Sequence, residues 1–205
     1  MGVHERRARQ KDFLRQEILR AASELFVREG YENVSMRRIA DRIEYSPTTI
    51  YLYFQDKAEL LQNVCSETFA RLVKRLSRIE EQIADPLECL KRGLLTYIEF
   101  GLENPDHYRA TFMMPMPAGL HRDKKQPRGE APPGMQAFSF LRRGVVGCIE
   151  KNKFPAMDVE LASQTLWAGI HGITSLLITH SGFPWAKREK LIHSMVNTLL
   201  AGLPG

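Results

Sequence analysis

Apolar residues recur along nearly the whole chain at the three- and four-residue spacing of a helix, and no segment shows the clear alternation of a half-buried strand. From Lys11 to Glu29 they fall at Leu14, Ile18, Ala21, Ala22, Leu25 and Phe26, one face of an amphipathic helix. Gly30 then supplies the left-handed residue on which helices commonly end. Ser35 is a natural N-cap for a short second helix with Met36, Ile39, Ala40 and Ile43 inward. After a tight break at Glu44-Tyr45, Ser46 caps a third helix whose first residue is Pro47, where the missing N–H costs nothing. Its spacing turns Ile50 and Phe54 inward and leaves Thr48, Thr49, Leu52 and Tyr53 largely outside. Asp56 with Glu59 is a variant capping box that opens a long helix, and Asp85 with Glu88 repeats the signal. A short helix starts at Asn104-Pro105 and ends by Pro115. Residues 115–134, rich in Pro, Gly and charge, read as a mobile loop. Further helices are expected over Met135–Lys151, Asp158–His180 and Ala186–Ala201. The fold class is all-α.

Several function classes fall away on composition. No stretch approaches the roughly 18 consecutive apolar residues of a membrane span. The basic N-terminus leads into an amphipathic helix rather than an apolar signal core, so the expected location is cytoplasmic, with no membrane partner. The three cysteines, Cys65, Cys89 and Cys148, are widely spaced and odd in number, which reads as buried thiols rather than a disulfide framework or a metal site. There is no phosphate-binding Gly loop, no His-Glu-x-x-His and no nucleophile elbow, and the histidines are scattered. The expectation is therefore no catalytic residue, no metal and no cofactor. A net charge of +5 permits binding to a polyanion without demonstrating it.

The constellation with chemical content is the trio of helices before residue 55. Two short helices joined by a tight turn and braced by a third make a helix-turn-helix plan. A helix that enters a major groove about 12 Å wide needs small or polar residues on its outer face. Ser46, Thr48, Thr49, Tyr51 and Tyr53 supply hydroxyls there, while Arg37, Arg38 and Lys57 bracket the helix with positive charge. An ordinary three-helix core with solvated charges fits the same spacing.

The run Gly30 to Ala40, then Ser46 to Phe54, then Asp56 to Leu61 resembles the TetR/AcrR family of repressors, and the match runs without gaps over about residues 12 to 61. The resemblance implies an N-terminal three-helix DNA-binding domain, residues 1–55 with a basic arm at Arg6, Arg7, Arg9 and Lys11, and a helical ligand-sensing and dimerisation domain, residues 56–205. It implies a base contact from Arg37 and groove-facing positions for Pro47, Thr48 and Tyr53. Thr49, Tyr51 and Lys57 fall at its phosphate-contacting positions. Phosphate contacts fix orientation and base contacts give sequence preference. The chain departs from the pattern at Glu44, where many members carry Gly in the turn. A non-glycine residue there must tolerate the turn, and its charge is mildly repulsive near phosphates.

Beyond residue 61 the resemblance weakens. Leu166 to Ile173, with Trp167, His171 and Gly172, resembles the Trp–His–Gly signature of a regulatory-domain subgroup, and Trp167 and His171 share a helix face. That implies a homodimer through the last two helices. Gly169, Gly172 and Ser175 would admit a close helix, and the stripe from Leu191 to Leu200 is apolar; interface and monomer core both fit these patterns. Tyr97, Phe112, Met113, Phe138 and Trp167 offer aromatic and thioether surface suited to a small apolar effector of unknown identity. His171 fits two roles, a hydrogen bond to that ligand or to a neighbouring carbonyl. The expected function is a ligand-responsive repressor on pseudo-palindromic double-stranded operator DNA. The rival from the same helices is a chromosome-associated, architectural DNA-binding protein without an effector.

Overall fold

Straight-chain residues and Ala dominate the first thirty positions, and neither Gly nor Pro interrupts them between Val3 and Glu29. That composition carries helix α1 from Val3 to Glu29, two turns further toward the N-terminus than the apolar face alone predicts. The computed structural model describes residues 3–114 and 131–203. It continues with α2 (Met36–Arg42), α3 (Pro47–Tyr51), α4 (Lys57–Gln82), α5 (Pro86–Glu103), α6 (Pro105–Tyr108), a π-helical turn (Arg109–Met113), α7 (Pro133–Glu150), α8 (Val159–Thr179) and α9 (Arg188–Gly202). No strand occurs among the described residues. The loop expected over 115–134 lies mostly outside them; its last residues, from Pro133, already belong to α7.

The caps form as the sequence requires. Ser35 Oγ accepts from Arg38 N at 3.1 Å, and Ser46 Oγ from Thr49 N at 3.2 Å. Asp56 Oδ1 accepts from Glu59 N at 2.7 Å, while the Glu59 carboxylate reaches back to Gln55 N, also at 2.7 Å. Asp85 and Asp158 each accept from two N–H groups in the first turn of α5 and α8. An N-cap of this kind contributes typically about 1 kcal/mol. Gly30 takes the left-handed conformation, φ +80°, that ends α1.

Contacts group the described residues into two compact units. The first holds the residues up to 68 together with 106–114, and the second holds 69–105 and 131–203. The partition falls inside α4 rather than at its start, and the segment after α5 belongs with the N-terminal helices. Packing explains that assignment. Ala110 is fully buried in the same apolar cluster as Ile18, Phe26, Ile39, Ile50, Phe54 and Leu61, and the π-helical turn packs on α1.

In the second unit α5 packs against α7, α8 and α9, and buries Leu90, Leu94, Tyr97, Ile98 and Phe100. Its contact with α7 is close because Gly93 has no side chain: a Cβ there would lie 2.1 Å from Phe140 Cε1. Gly169 of α8 does the same for α9, since a Cβ would stand 2.6 Å from Leu199 Cδ1. One of the small residues expected to admit a partner helix is thus filled from within the chain, while Gly172 faces open space. Cys148 is buried and Cys65 and Cys89 are half-buried; burial pushes all three thiols up, Cys65 and Cys148 to about 11. Such thiols stay protonated and poorly reactive at neutral pH.

Candidate nucleic-acid interface

Helix α3 is short because nothing beyond Tyr51 continues it: Tyr53 N and Phe54 N both turn back to the carbonyl of Ile50, at 2.9 and 3.1 Å. Ile50 and Phe54 are fully buried and fix the helix to the core. Opposite them stand Thr48 and Tyr51, both exposed, with Leu52 at 77 % and Tyr45 at 44 % exposure. Two residues expected outside are drawn further in. Tyr53 is half-buried against the N-terminal core, and Thr49 is half-buried with its hydroxyl 2.9 Å from Ser46 Oγ. The hydroxyls of Ser46 and Thr49 therefore first serve the cap.

The turn before α3 resolves the anomaly at Glu44. This residue adopts φ +60°, the left-handed region, and Tyr45 N then bonds to Ala40 O at 3.0 Å. The backbone keeps the geometry for which glycine is the easy choice, and the glutamate bears the strain. Tyr45, an exposed aromatic directly before the Ser46 cap, falls in the break between helices, where helical spacing carries no signal.

The cations near the module divide into engaged and available. Arg38 pairs with Glu29 at 2.9 Å, which lowers the Glu29 carboxyl below its ordinary value through the hydrogen bond. Arg42 pairs with Glu24 at 3.2 Å. Arg37, between them in sequence, is exposed and makes no ion pair among the described residues. Lys57 is half-buried, and its ammonium donates to Tyr31 O at 2.6 Å and lies 4.2 Å from the centre of the Tyr31 ring. The basic arm is not a loose strand: Arg6, Arg7, Arg9 and Lys11 are exposed on the first turns of α1.

Four of the six candidate ligand residues meet in the second unit. Trp167 Nε1 donates to Tyr97 Oη at 3.3 Å, the Phe138 ring meets Trp167 edge-on at 6.1 Å, and the His171 ring lies 6.3 Å from Trp167. Trp167 remains 41 % exposed, so the cluster has an open face. His171 Nε2 is 3.3 Å from Ser175 Oγ, and burial holds its pKa below the ordinary value, which keeps the ring neutral at pH 7. Phe112 and Met113 belong to the first unit, on its π-helical turn, where the Phe112 ring centre lies 4.7 Å from that of Tyr108. A separate open cleft of about 420 Å³ between α5 and α9 is lined by Leu95, Glu99, Glu103, Arg188, Ile192 and His193, none of them expected from the sequence as a ligand contact. Among the described residues no group of His, Cys, Asp or Glu could hold a metal ion, and no helix is long and apolar enough to cross a membrane.

Comparisons with known proteins agree with this architecture. Residues 18–64 match the family model for bacterial regulatory proteins of the tetR family, and residues 90–199 match that of the tetracyclin repressor-like C-terminal domain. An HTH-type transcriptional regulator of Staphylococcus aureus is 31 % identical over 90 residues, 44 % of this chain and 49 % of that protein. The HTH-type transcriptional repressor NicS of Pseudomonas putida is 26 % identical over 120 residues, 58 % of this chain and 57 % of that protein. The chain thus matches only about half the length of these curated relatives. Among solved structures, the TetR family regulator PfmR of Thermus thermophilus superposes with a TM-score of 0.71 at 22 % identity, covering 91 % of this chain and 98 % of that one. FadR of Bacillus subtilis, solved in complex with stearoyl-CoA, superposes with a TM-score of 0.72 at 18 % identity, covering 92 % and 98 %. With one family model on the helix-turn-helix and another on more than half of its length, the chain belongs to the TetR family of bacterial regulatory proteins.

Proposed function

We propose that this protein is a transcriptional repressor that binds a pseudo-palindromic operator as a homodimer and is released by a small apolar effector. The observation that carries the reading is the α2–α3 module. A five-residue helix, pinned from behind by fully buried Ile50 and Phe54, offers exposed Thr48 and Tyr51 outward with half-buried Pro47 at its start, and exposed Arg37 lies on the helix packed against it. In this reading Arg37, Pro47, Thr48 and Tyr53 meet base edges, while Ser46, Thr49, Tyr51 and the basic first turns of α1 meet phosphates.

The dimer would form through α8 and α9. Leu161 and Leu176 are exposed on α8 at 64 % and 45 %, and Gly172 leaves room beside them for a close helix. The effector would rest against Trp167, Tyr97, Phe138 and His171, an aromatic surface with one imidazole and one phenol to orient a polar group. FadR, a chain of the same fold, binds stearoyl-CoA, which supports an apolar ligand.

Selection from random duplexes followed by footprinting tests the proposal. The expected result is two protected half-sites centred about 34–36 Å apart or a multiple of that. Sequence-blind coating that grows with duplex length would instead point to an architectural protein.

A further inference from the structure

The α2–α3 module is tethered at both ends, and one side chain joins the tethers. Tyr31 and Glu32 precede the Ser35 cap of α2, and Lys57 opens α4 just after α3. The Lys57 ammonium donates to Tyr31 O at 2.6 Å, faces Glu32 O at 3.4 Å and sits 4.2 Å from the Tyr31 ring centre. An ammonium has three N–H donors. Two carbonyls and the electron-rich ring face occupy three sides of this one. Those carbonyls follow the C-terminus of α1, where the helix gathers partial negative charge. The ring is itself a fixed platform: it is half-buried, lies 5.6 Å from the fully buried Phe26, and its phenol is pushed up by burial and by Asp56 and Glu32.

We propose that Tyr31 and Lys57 form a clasp across the base of the reading module, and that Lys57 serves DNA binding as a positioning residue rather than as a phosphate ligand. The inference rests on the DNA-binding reading above. The contact spans 26 residues of sequence and closes a loop that contains all of α2 and α3, with Arg37, Pro47 and Thr48. Fixing that loop before DNA arrives removes an ordering cost from binding.

Salt separates the two roles. A phosphate ligand releases a counterion on binding, so its loss flattens the slope of log affinity against log salt by about 0.9. Loss of a positioning residue weakens binding at every salt concentration and leaves the slope alone. The full-length chain, Lys57→Met, Tyr31→Leu, Tyr31→Phe and the Lys57→Met/Tyr31→Leu double variant would be titrated against a duplex selected by the wild type. The expected result is about tenfold weaker binding for each of K57M and Y31L with the wild-type slope. The double variant should lose no more than the weaker single, and Y31F, which keeps the ring, should bind like wild type. Without DNA, amide hydrogen exchange at Asn33 and Val34, whose N–H groups bond within this link to Gly30 O and Tyr31 O, should quicken in K57M and Y31L.

A slope lower by about 0.9 in K57M alone, additive losses, or unchanged exchange would each overturn the clasp. A wild-type chain that selects no duplex would overturn the DNA-binding reading instead, and the exchange rates would then decide the clasp by themselves.

Discussion

Replacing Glu44 by glycine should make the protein more stable and its DNA binding tighter, through two causes that can be told apart. Glu44 sits at φ +60°, is exposed, and makes no ion pair among the described residues. Left-handed backbone costs an L-residue roughly 1–2 kcal/mol, and glycine does not bear that cost. The greater freedom of glycine in the unfolded chain takes back about 0.4–1 kcal/mol. The net gain is about 0.5–1 kcal/mol, or a rise of about 2–4 °C in Tm per kcal/mol for a chain of this length. Glu44→Ala removes the same charge but keeps the strain, so its stability should stay at or below that of the parent. For binding, a carboxylate about 10 Å from a phosphate is opposed by ~0.4 kcal/mol in water, about twofold in affinity. Both variants should therefore bind DNA more tightly at low salt, and the gain should fade as the Debye length shortens. Urea unfolding and a salt series of titrations read the two effects separately. If E44G proved no more stable than E44A, the strain argument would be wrong, whatever the DNA titrations gave.

Four other outcomes are expected from the geometry. Arg37→Ala should cost about 1–3 kcal/mol on the best operator and relax preference at one base position, checked by titration against single-base operator variants. Gly93→Ala should destabilise the fold by about 1–3 kcal/mol through collision with Phe140, whereas Gly172→Leu should leave the unfolding midpoint of the monomer nearly unchanged yet weaken self-association in sedimentation equilibrium. An effector bound beside Trp167 should lower operator affinity by about 1–3 kcal/mol, and operator should lower effector affinity by the same factor, which calorimetry with and without DNA measures; equal effector affinity in both states would detach the sensor from DNA binding.

Much of the fold is legible in the sequence because helix starts are written locally. Ser35, Ser46, Asp56, Asp85 and Asp158 each stand one residue before a helix, and each accepts the N–H bonds its side chain is built to accept. The inward residues of α2 and α3 are also local, fixed by helical period once the caps are placed. Helix ends are harder to read. Tyr53 belongs by period to the outer side of a longer α3, but the chain turns after Tyr51 and carries it toward the core. The first turns of α1 are hard to read for a different reason: with every side chain from Glu5 to Phe13 exposed, they have no apolar face, and only their propensity makes them helical.

What the sequence hides is distributed over residues far apart in the chain. Nothing near Lys57 reveals that its ammonium is taken up by backbone carbonyls 25 and 26 residues away, because every carbonyl looks alike in a sequence. Gly169 and Gly172 form one small-residue pattern, yet Leu199 fills the first and leaves the second open, a difference set by the path of α9. The sensor candidates divide in the same way. Tyr97, Phe138, Trp167 and His171 converge because α5, α7 and α8 pack on one another, while Phe112 and Met113 belong to the turn that buries Ala110 among the N-terminal helices. Aromatic, thioether or imidazole character selects all six without regard to place, and the packing of α5, α7 and α8 is what brings four of them together. The division also runs through α4. Its residues up to Thr68 belong to the first unit and those from Phe69 to the unit with Trp167, so this one continuous helix is a covalent link between them, and in the proposed reading an effector beside Trp167 would bias the reading module through it.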